Sequence, residues 1–433
     1  MKFFFPDSHD LIDPGFDFDT ETRADFRIRQ RDDLYAHEVH DAPPYDGMLI
    51  SKAMVDGIGG GQMRYSLAQR HRLLRVGARD FFRLDKVDPE KKMRTLGDCG
   101  AFSYAKEDVP PYTVDEVIDF HVECGFDIGV SIDHVIFAYD PSLDDLREGL
   151  DHPLLEECRR RQEITLTLAA DFIQRHHDRR CHFQPMGAAQ GWSPQSYADS
   201  VDQMQRMGYE YIGLGGMVPL KTPEILACLR AIDEVRNPST RLHLFGITRC
   251  AHIEEFAMYG VASFDSTSPL RQAFKDEKDN YHTLGAAYTA VRIPQVEGNV
   301  QLRKRIVAGR VDQQEALRHE QKCLRLVKAY DRDEVALPEV LDALRAYEML
   351  CDGGKDRTEQ YRRTLEARPW KDCPCAICRD LGVHVVLFRG AERNRRRGFH
   401  NVYVLYDRLN RLRAGRASGT PSLAAVGAAG TEG

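Results

Sequence analysis

Between about residue 47 and residue 268, short apolar runs alternate with longer amphipathic stretches. The apolar runs fall at 48–50, 81–84, 93–96, 126–132, 186–189, 211–214, 242–247 and 261–264. They have the length and near-continuous hydrophobicity of strands covered on both faces, as in a parallel sheet. Between several of them apolar residues recur at helical spacing, at 163–176, 194–207, 223–235 and 253–259. Eight strand candidates separated by helices predict an α/β fold, a (β/α)8 TIM barrel, with a doubly wound open sheet as the alternative of similar pattern.

The polar residues favour the barrel. Asp98, Asp133, Gln190, Gly215-Gly216 and Asp265 each stand just after a strand candidate. In a barrel those strand ends converge on one mouth, where side chains from different strands act together. In an open sheet the outermost would lie too far apart. A lone aspartate at a strand end is most often a helix N-cap, so the successive placement matters more than any one residue.

Three of the eleven cysteines crowd into Cys373-Pro374-Cys375-Ala376-Ile377-Cys378, and His400 follows after a strongly basic segment read as a loop. Three thiolates and one imidazole are the donor set of a closed, tetrahedral, structural Zn2+ site. Such a site builds structure, so chemistry belongs elsewhere. The basic segment carries Arg389, Arg393, Arg395, Arg396 and Arg397, a candidate phosphate-contacting patch whose plain alternative is a solvated face,. The net charge of −7 argues against adhesion of the whole surface to nucleic acid,.

The other eight cysteines are scattered without a pairing pattern, which reads as reduced thiols and a cytoplasmic protein,. Met1-Lys2-Phe3-Phe4-Phe5-Pro6-Asp7 is too short for a signal peptide, and no run reaches the length of a membrane span,. Gly57-Ile58-Gly59-Gly60-Gly61 lacks the Lys-Ser/Thr of a nucleotide-phosphate loop,. The expected organisation is a barrel core over 1–298, a helical insertion over 299–368, a zinc-binding subdomain completing the barrel over 369–412, and a Gly/Ala/Ser/Thr-rich disordered tail over 413–433,.

Taken with the cysteine motif, these segments resemble the queuine/archaeosine tRNA-guanine transglycosylases, in family order over about residues 47–405. Gly97-Asp98-Cys99-Gly100-Ala101-Phe102 is similar to the family's Asp-Ser-Gly-Gly-Phe-Gln segment, Gln190-Gly191 to its Gln-Gly, Gly215-Gly216 to its Gly-Gly and Phe264-Asp265 to its Phe-Asp. The metal spacing matches apart from a slightly shorter stretch before His400. Ser103 replaces the family's Gln, and Ser266-Thr267-Ser268-Pro269-Leu270-Arg271 replaces its Pro-Thr-Arg, both near the nucleic-acid substrate. Unbroken strings such as Met1 to Ser8, Arg29 to Tyr35, Gly191-Trp192-Ser193-Pro194 and Phe388 to Asn394 are closer to a branch of DNA transglycosylases from 7-deazaguanine modification clusters.

The resemblance implies base exchange with two carboxylates. Asp265 would attack C1′ as nucleophile and Asp98 would act as acid and base, the exchanged roles being the alternative. Asp133 suits the N1 and N2 donors of guanine, Gln190 its O6, and the backbone at Gly215 and Gly216 allows close approach. Phe102 and Phe245 are candidate stacking faces. Three functions follow: replacement of guanine in DNA by 7-cyano-7-deazaguanine (preQ0), insertion of a 7-deazaguanine into tRNA, or a non-catalytic zinc-containing subunit that holds nucleic acid. The paired aspartates argue against the last. The partners implied are DNA (or tRNA), a 7-deazaguanine base and helper proteins of a DNA-modification cluster, without a membrane.

Overall fold

The computed structural model describes residues 1–58, 65–146, 152–352 and 355–418. Residues 59–61 of the glycine run and 419–433 of the tail lie outside the described residues. Eight parallel strands close a barrel in sequence order: β1 (Lys2–Pro6), β2 (Gly47–Ser51), β3 (Arg94–Asp98), β4 (Ile128–Val130), β5 (Gln184–Ala189), β6 (Tyr211–Leu214), β7 (Arg241–Leu244) and β8 (Val261–Asp265). β1 pairs with both β2 and β8, which removes every edge,.

The barrel expectation holds, with one strand misplaced. The first strand is Lys2–Pro6, whose Phe3, Phe4 and Phe5 are all buried. The run at 81–84 instead ends the helix Leu67–Phe81 and opens the turn Leu84–Lys86. Phe82 and Leu84 are fully buried there, and four apolar residues look alike in a strand and at the buried end of a helix.

Side chains alternate across the strands. Phe4, Leu49, Leu96, Ile128, Val130, Met186, Ala188 and Tyr211 form one buried cluster, with Phe245 packed against it. On β1 and β8 the neighbouring positions face the other way, where Phe3 stacks on Phe264 with ring centroids 5.2 Å apart. Full burial of such a side chain contributes about 1.5–3 kcal/mol. Several of the helices between strands start on side-chain caps. Thr113 accepts from the Glu116 N–H before Val114–Glu123, and Ser193 accepts from the Ser196 N–H before Pro194–Met207,. The second of these has Pro194 in its first turn and ends on Gly208 at φ 103°,.

The described residues form two compact units. One holds the barrel (residues 1–9, 45–267 and 412–418); the other comprises 10–44 and 268–411. In the second, the helices Val300–Val307, Gln313–Asp331, Leu337–Asp352 and Thr358–Ala367 follow one another, and Gln313–Asp331 packs on Leu337–Asp352. The helix Gly390–Ser418 includes residues 413–418, expected from composition to be a disordered tail, and all of the basic segment after Arg389, expected to be a loop. Among the described residues no helix is long and apolar enough to cross a membrane, and none of the eleven cysteines is in a disulfide.

Candidate active site and metal centre

The parallel register brings the C-terminal ends of the strands to one mouth. Asp98 is the last residue of β3 and Asp265 the last of β8, Gln190 and Gly215 follow β5 and β6 directly, and Asp133 lies three residues beyond β4. Asp98 is half-buried, while Asp133 and Asp265 are buried. Gly100, at φ 81°, turns its N–H back onto Asp98 Oδ2 at 3.0 Å. A Cβ at Gly100 would sit 2.1 Å from Ser51 Oγ, so this tight return requires glycine,.

The three carboxyls share one electrostatic environment. Burial, then the charges of Asp133 and Asp265, push the Asp98 carboxyl up to about 8,. Asp133 is pushed up to about 6 by burial, opposed by a hydrogen bond from Gln190. At neutral pH Asp98 therefore holds its proton while Asp133 is mostly ionised. Two groups driven apart in this way suit an acid and an acceptor in one pocket.

Gln190 Nε2 donates to Asp133 Oδ2 at 2.6 Å, and its Oε1 accepts from the Ile136 N–H at 3.2 Å. The Tyr197 hydroxyl, carried on the helix Pro194–Met207, donates to the Gly215 carbonyl at 2.7 Å. Asp265 Oδ1 accepts from His243 Nε2 at 3.1 Å and from the Gly246 N–H at 3.0 Å. Phe102 is 60% exposed, and its ring lies edge-on to Phe137 at 5.1 Å. Phe245 is half-buried, edge-on to His243 at 4.6 Å and lying against Gly213, where a Cβ would come 2.2 Å from its ring. His243, Gly246 and Phe137 were not among the residues singled out from sequence. The signal for His243 was present, since it is a polar residue inside the apolar run 242–247, spaced two positions from Phe245 as inward-facing strand residues are,.

The second unit brings Cys373, Cys375, Cys378 and His400 together, their ligand atoms all within 4.8 Å of one another, so that they could hold a metal ion. His400 Nδ1 lies 3.6, 3.4 and 3.4 Å from the three sulfurs. Metal–sulfur and metal–nitrogen bonds of about 2.3 and 2.0 Å in a tetrahedron give separations of about 3.5 Å. His400 Nε2 donates to the His282 carbonyl at 2.7 Å, which leaves Nδ1 as the ligand atom,. The His400 ring also stacks on Tyr281 at 4.1 Å.

Four of the five arginines expected to form a phosphate-contacting patch turn inward instead. Arg389, Arg393, Arg396 and Arg397 are buried rather than presented to a phosphate. Arg389 and Arg393 bind Glu21, Arg389 also binds Glu320, and Arg396 binds Glu392. Arg397 is fully buried and donates to the carbonyls of Val385, Leu387 and Ala273. Arg395 keeps 27% side-chain exposure, 3.7 Å from Asp10. A buried guanidinium needs its donors filled; here the distant carboxylates of Glu21 and Glu320, the nearby Glu392 and backbone carbonyls fill them.

A closed parallel barrel with ionisable groups shifted at its C-terminal mouth defines an enzyme scaffold of the TIM-barrel class. No protein-family model matches the chain. It is 51% identical to a DNA-guanine transglycosylase of Salmonella montevideo over 413 residues, 94% of this chain and 96% of that protein. It is also 30% identical to a tRNA-guanine(15) transglycosylase of Methanococcus vannielii over 188 residues, 40% of this chain and 25% of that protein. The chain belongs to the guanine transglycosylase family of pentosyltransferases.

Proposed function

We propose that this protein replaces guanine in DNA with a 7-deazaguanine, 7-cyano-7-deazaguanine (preQ0), through an ester between Asp265 and the sugar. The observation that carries the DNA assignment is the near full-length identity to a protein named for DNA-guanine exchange. The tRNA reading has the support of a shorter and more distant match.

In the first step an Asp265 oxygen bonds to C1′ as the C1′–N9 bond breaks. The electron pair leaves on guanine, and Asp98 supplies the proton guanine takes up. In the second, N9 of the incoming base bonds to C1′ and gives its proton to the Asp98 carboxylate. The C1′–O bond breaks and its electrons return to Asp265. Two inversions give net retention. The elevated pKa of Asp98 supports its acid role,. The ionised Asp133 accepts from N1 and N2, Gln190 donates to O6, and the backbone at Gly215 and Gly216 borders the base. Phe102 and Phe245 supply aromatic faces. The target nucleotide must leave its stack to enter.

In this reading Cys373, Cys375, Cys378 and His400 hold Zn2+. The ion would supply cross-links within the second unit, and the thiols suit the reducing cytoplasm. Labelled guanine offered to the purified protein with DNA and with tRNA separately tests the substrate. Label entering DNA supports the proposal, whereas label entering only tRNA replaces it with the second reading. Asp265→Asn should abolish a denaturation-stable protein–DNA adduct, and an adduct of undiminished yield would remove Asp265 as nucleophile.

A further inference from the structure

Four polar side chains run up the barrel interior on three adjacent strands, beside an otherwise apolar filling. Tyr211 opens β6, His243 lies in β7, and Ser263 and Asp265 lie in β8. The Tyr211 hydroxyl meets Ser263 Oγ, which lies 2.6 Å from His243 Nδ1. His243 Nε2 in turn lies 3.1 Å from Asp265 Oδ1. His243 is fully buried, edge-on to both Phe4 and Phe245. The β7–β8 register shifts between Leu242 and His243, so that Leu242 pairs with Val261 but His243 pairs with Ser263. Without that shift Ala262 would stand opposite His243. Register irregularities beside active sites commonly re-aim a side chain in this way.

The chain has a direction. Tyr211 is buried, and that burial raises its pKa, so the phenol keeps its proton. Its hydroxyl donates to Ser263, the Ser263 hydroxyl donates to Nδ1, and Nε2 carries the hydrogen that the Asp265 carboxylate accepts. The Gly246 N–H donates to the same carboxylate oxygen at 3.0 Å. The geometry points to His243 as a positioning residue for Asp265: with Gly246 it occupies Oδ1 and leaves Oδ2 as the atom that bonds to C1′. The inference rests on Asp265 being the nucleophile.

The consequence falls unequally on the two steps. When Oδ2 is esterified, Oδ1 becomes the ester carbonyl oxygen. When the incoming base displaces the sugar, the C1′–Oδ2 electron pair returns to the carboxylate and charge develops on Oδ1, where two donors already wait. Those donors stabilise the departing carboxylate more than the neutral ester. Loss of His243 should therefore slow discharge of the covalent adduct more than its formation.

The test uses the full chain, a DNA that the wild-type protein modifies, and preQ0 as incoming base. Adduct formation is followed after mixing with DNA alone, and discharge after adding preQ0. His243→Leu should discharge roughly 10- to 100-fold more slowly, the effect of one charge-assisted hydrogen bond, so that adduct accumulates during turnover. His243→Gln, which restores an N–H donor, should recover most of that loss. A merely structural role would reward neither residue's donor and would lower both steps alike. Ser263→Ala, milder in size, should shift the same ratio in the same direction with folding intact, and it carries the test if His243→Leu does not fold. Wild-type discharge in Ser263→Ala, or equal rates for His243→Leu and His243→Gln, overturns the inference while Asp265→Asn still lacks adduct. Adduct persisting in Asp265→Asn instead removes the nucleophile assignment itself.

Discussion

Gln190 Nε2 donates to Asp133 Oδ2 at 2.6 Å while its Oε1 is held by the Ile136 N–H at 3.2 Å. With its oxygen anchored to backbone, the amide cannot reverse, and its nitrogen must face the carboxylate. Gln190→Glu would set a second carboxylate against a group already pushed up to about 6. Like charges at that separation disfavour ionisation of the pair. The KM for the free base should rise by about 10-fold or more at pH 7, and lowering the pH should not restore it, because protonation removes the acceptor proposed to read guanine. An unchanged KM would show that Asp133 and Gln190 do not read the base together.

The same pair explains the glycine beside it. A Cβ at Gly215 would lie 2.1 Å from Gln190 Nε2 and 3.4 Å from Asp133 Oδ2. Gly215→Ala should therefore displace the buried Gln190 and weaken base binding, with a modest fall in melting temperature because its two hydrogen bonds are strained,. Isothermal titration with preQ0 reads the affinity. Affinity equal to wild type would mean that the glycine serves only the loop.

Much of this arrangement was legible in sequence because a barrel converts sequence order into spatial convergence. Asp98, Asp133, Gln190, Gly215 and Asp265 each follow an apolar run in the sequence, and the closed parallel topology brings those ends to one mouth. Lys2–Pro6 escaped because its three phenylalanines stand apart from the region of alternating pattern. The arginines misled for a related reason. Their partners Glu21 and Glu320 lie 368 and 69 residues from Arg389, and a local reading of charge cannot supply them. His243 stands out in sequence as a polar residue in an apolar run, but its pairing with Ser263 depends on a register shift between two strands that sequence does not show.

The shifted carboxyls set a pH dependence. In the proposed mechanism Asp133 must ionise near pH 6 to accept from guanine, and Asp98 must keep its proton until about pH 8 to give it. Adduct formation should follow a bell with limbs near those values. Stability carries the same signature. The folded chain binds the Asp98 proton more tightly than the unfolded chain, whose value is near 3.8. The stabilisation is complete below about pH 4, declines as pH rises to about 8, and stays lost above that. Asp98→Asn should abolish adduct formation yet melt higher than wild type at pH 8, with a smaller gap at pH 5. A pH-independent gap would contradict the burial assigned to this carboxyl.

The metal centre should behave differently. Cys375→Ser removes one of three sulfurs grouped within 4.8 Å of His400 Nδ1 and one another. Bound zinc should fall from one equivalent towards none and the melting temperature should drop, since a structural metal contributes its binding free energy to folding. Elemental analysis and calorimetry on the purified variant measure both. Unaltered zinc stoichiometry would place the metal elsewhere.

Arg389 separates structural from nucleic-acid roles for the basic segment. Its Nε and Nη2 each approach Glu21 at 2.6 Å, Nη2 also lies 2.6 Å from Glu320, and Nη1 donates to the Ile293 carbonyl at 3.1 Å. Burial alone would raise the Glu21 carboxyl, but hydrogen bonds from Arg389 and Gln295, with the charges of Arg389 and Arg393, hold it down at about 2. Arg389→Ala would leave these carboxylates without that partner and should cost about 3–5 kcal/mol. Because the Glu21 pKa is depressed, its stabilisation is present above about pH 4.5 and fades as pH falls towards 2,; the variant should lose less than wild type across that acid range. The dependence of DNA affinity on salt should keep its slope, because a guanidinium committed to carboxylates releases no counterions from phosphate. A slope reduced by about one unit in the folded variant would instead return Arg389 to the nucleic-acid surface.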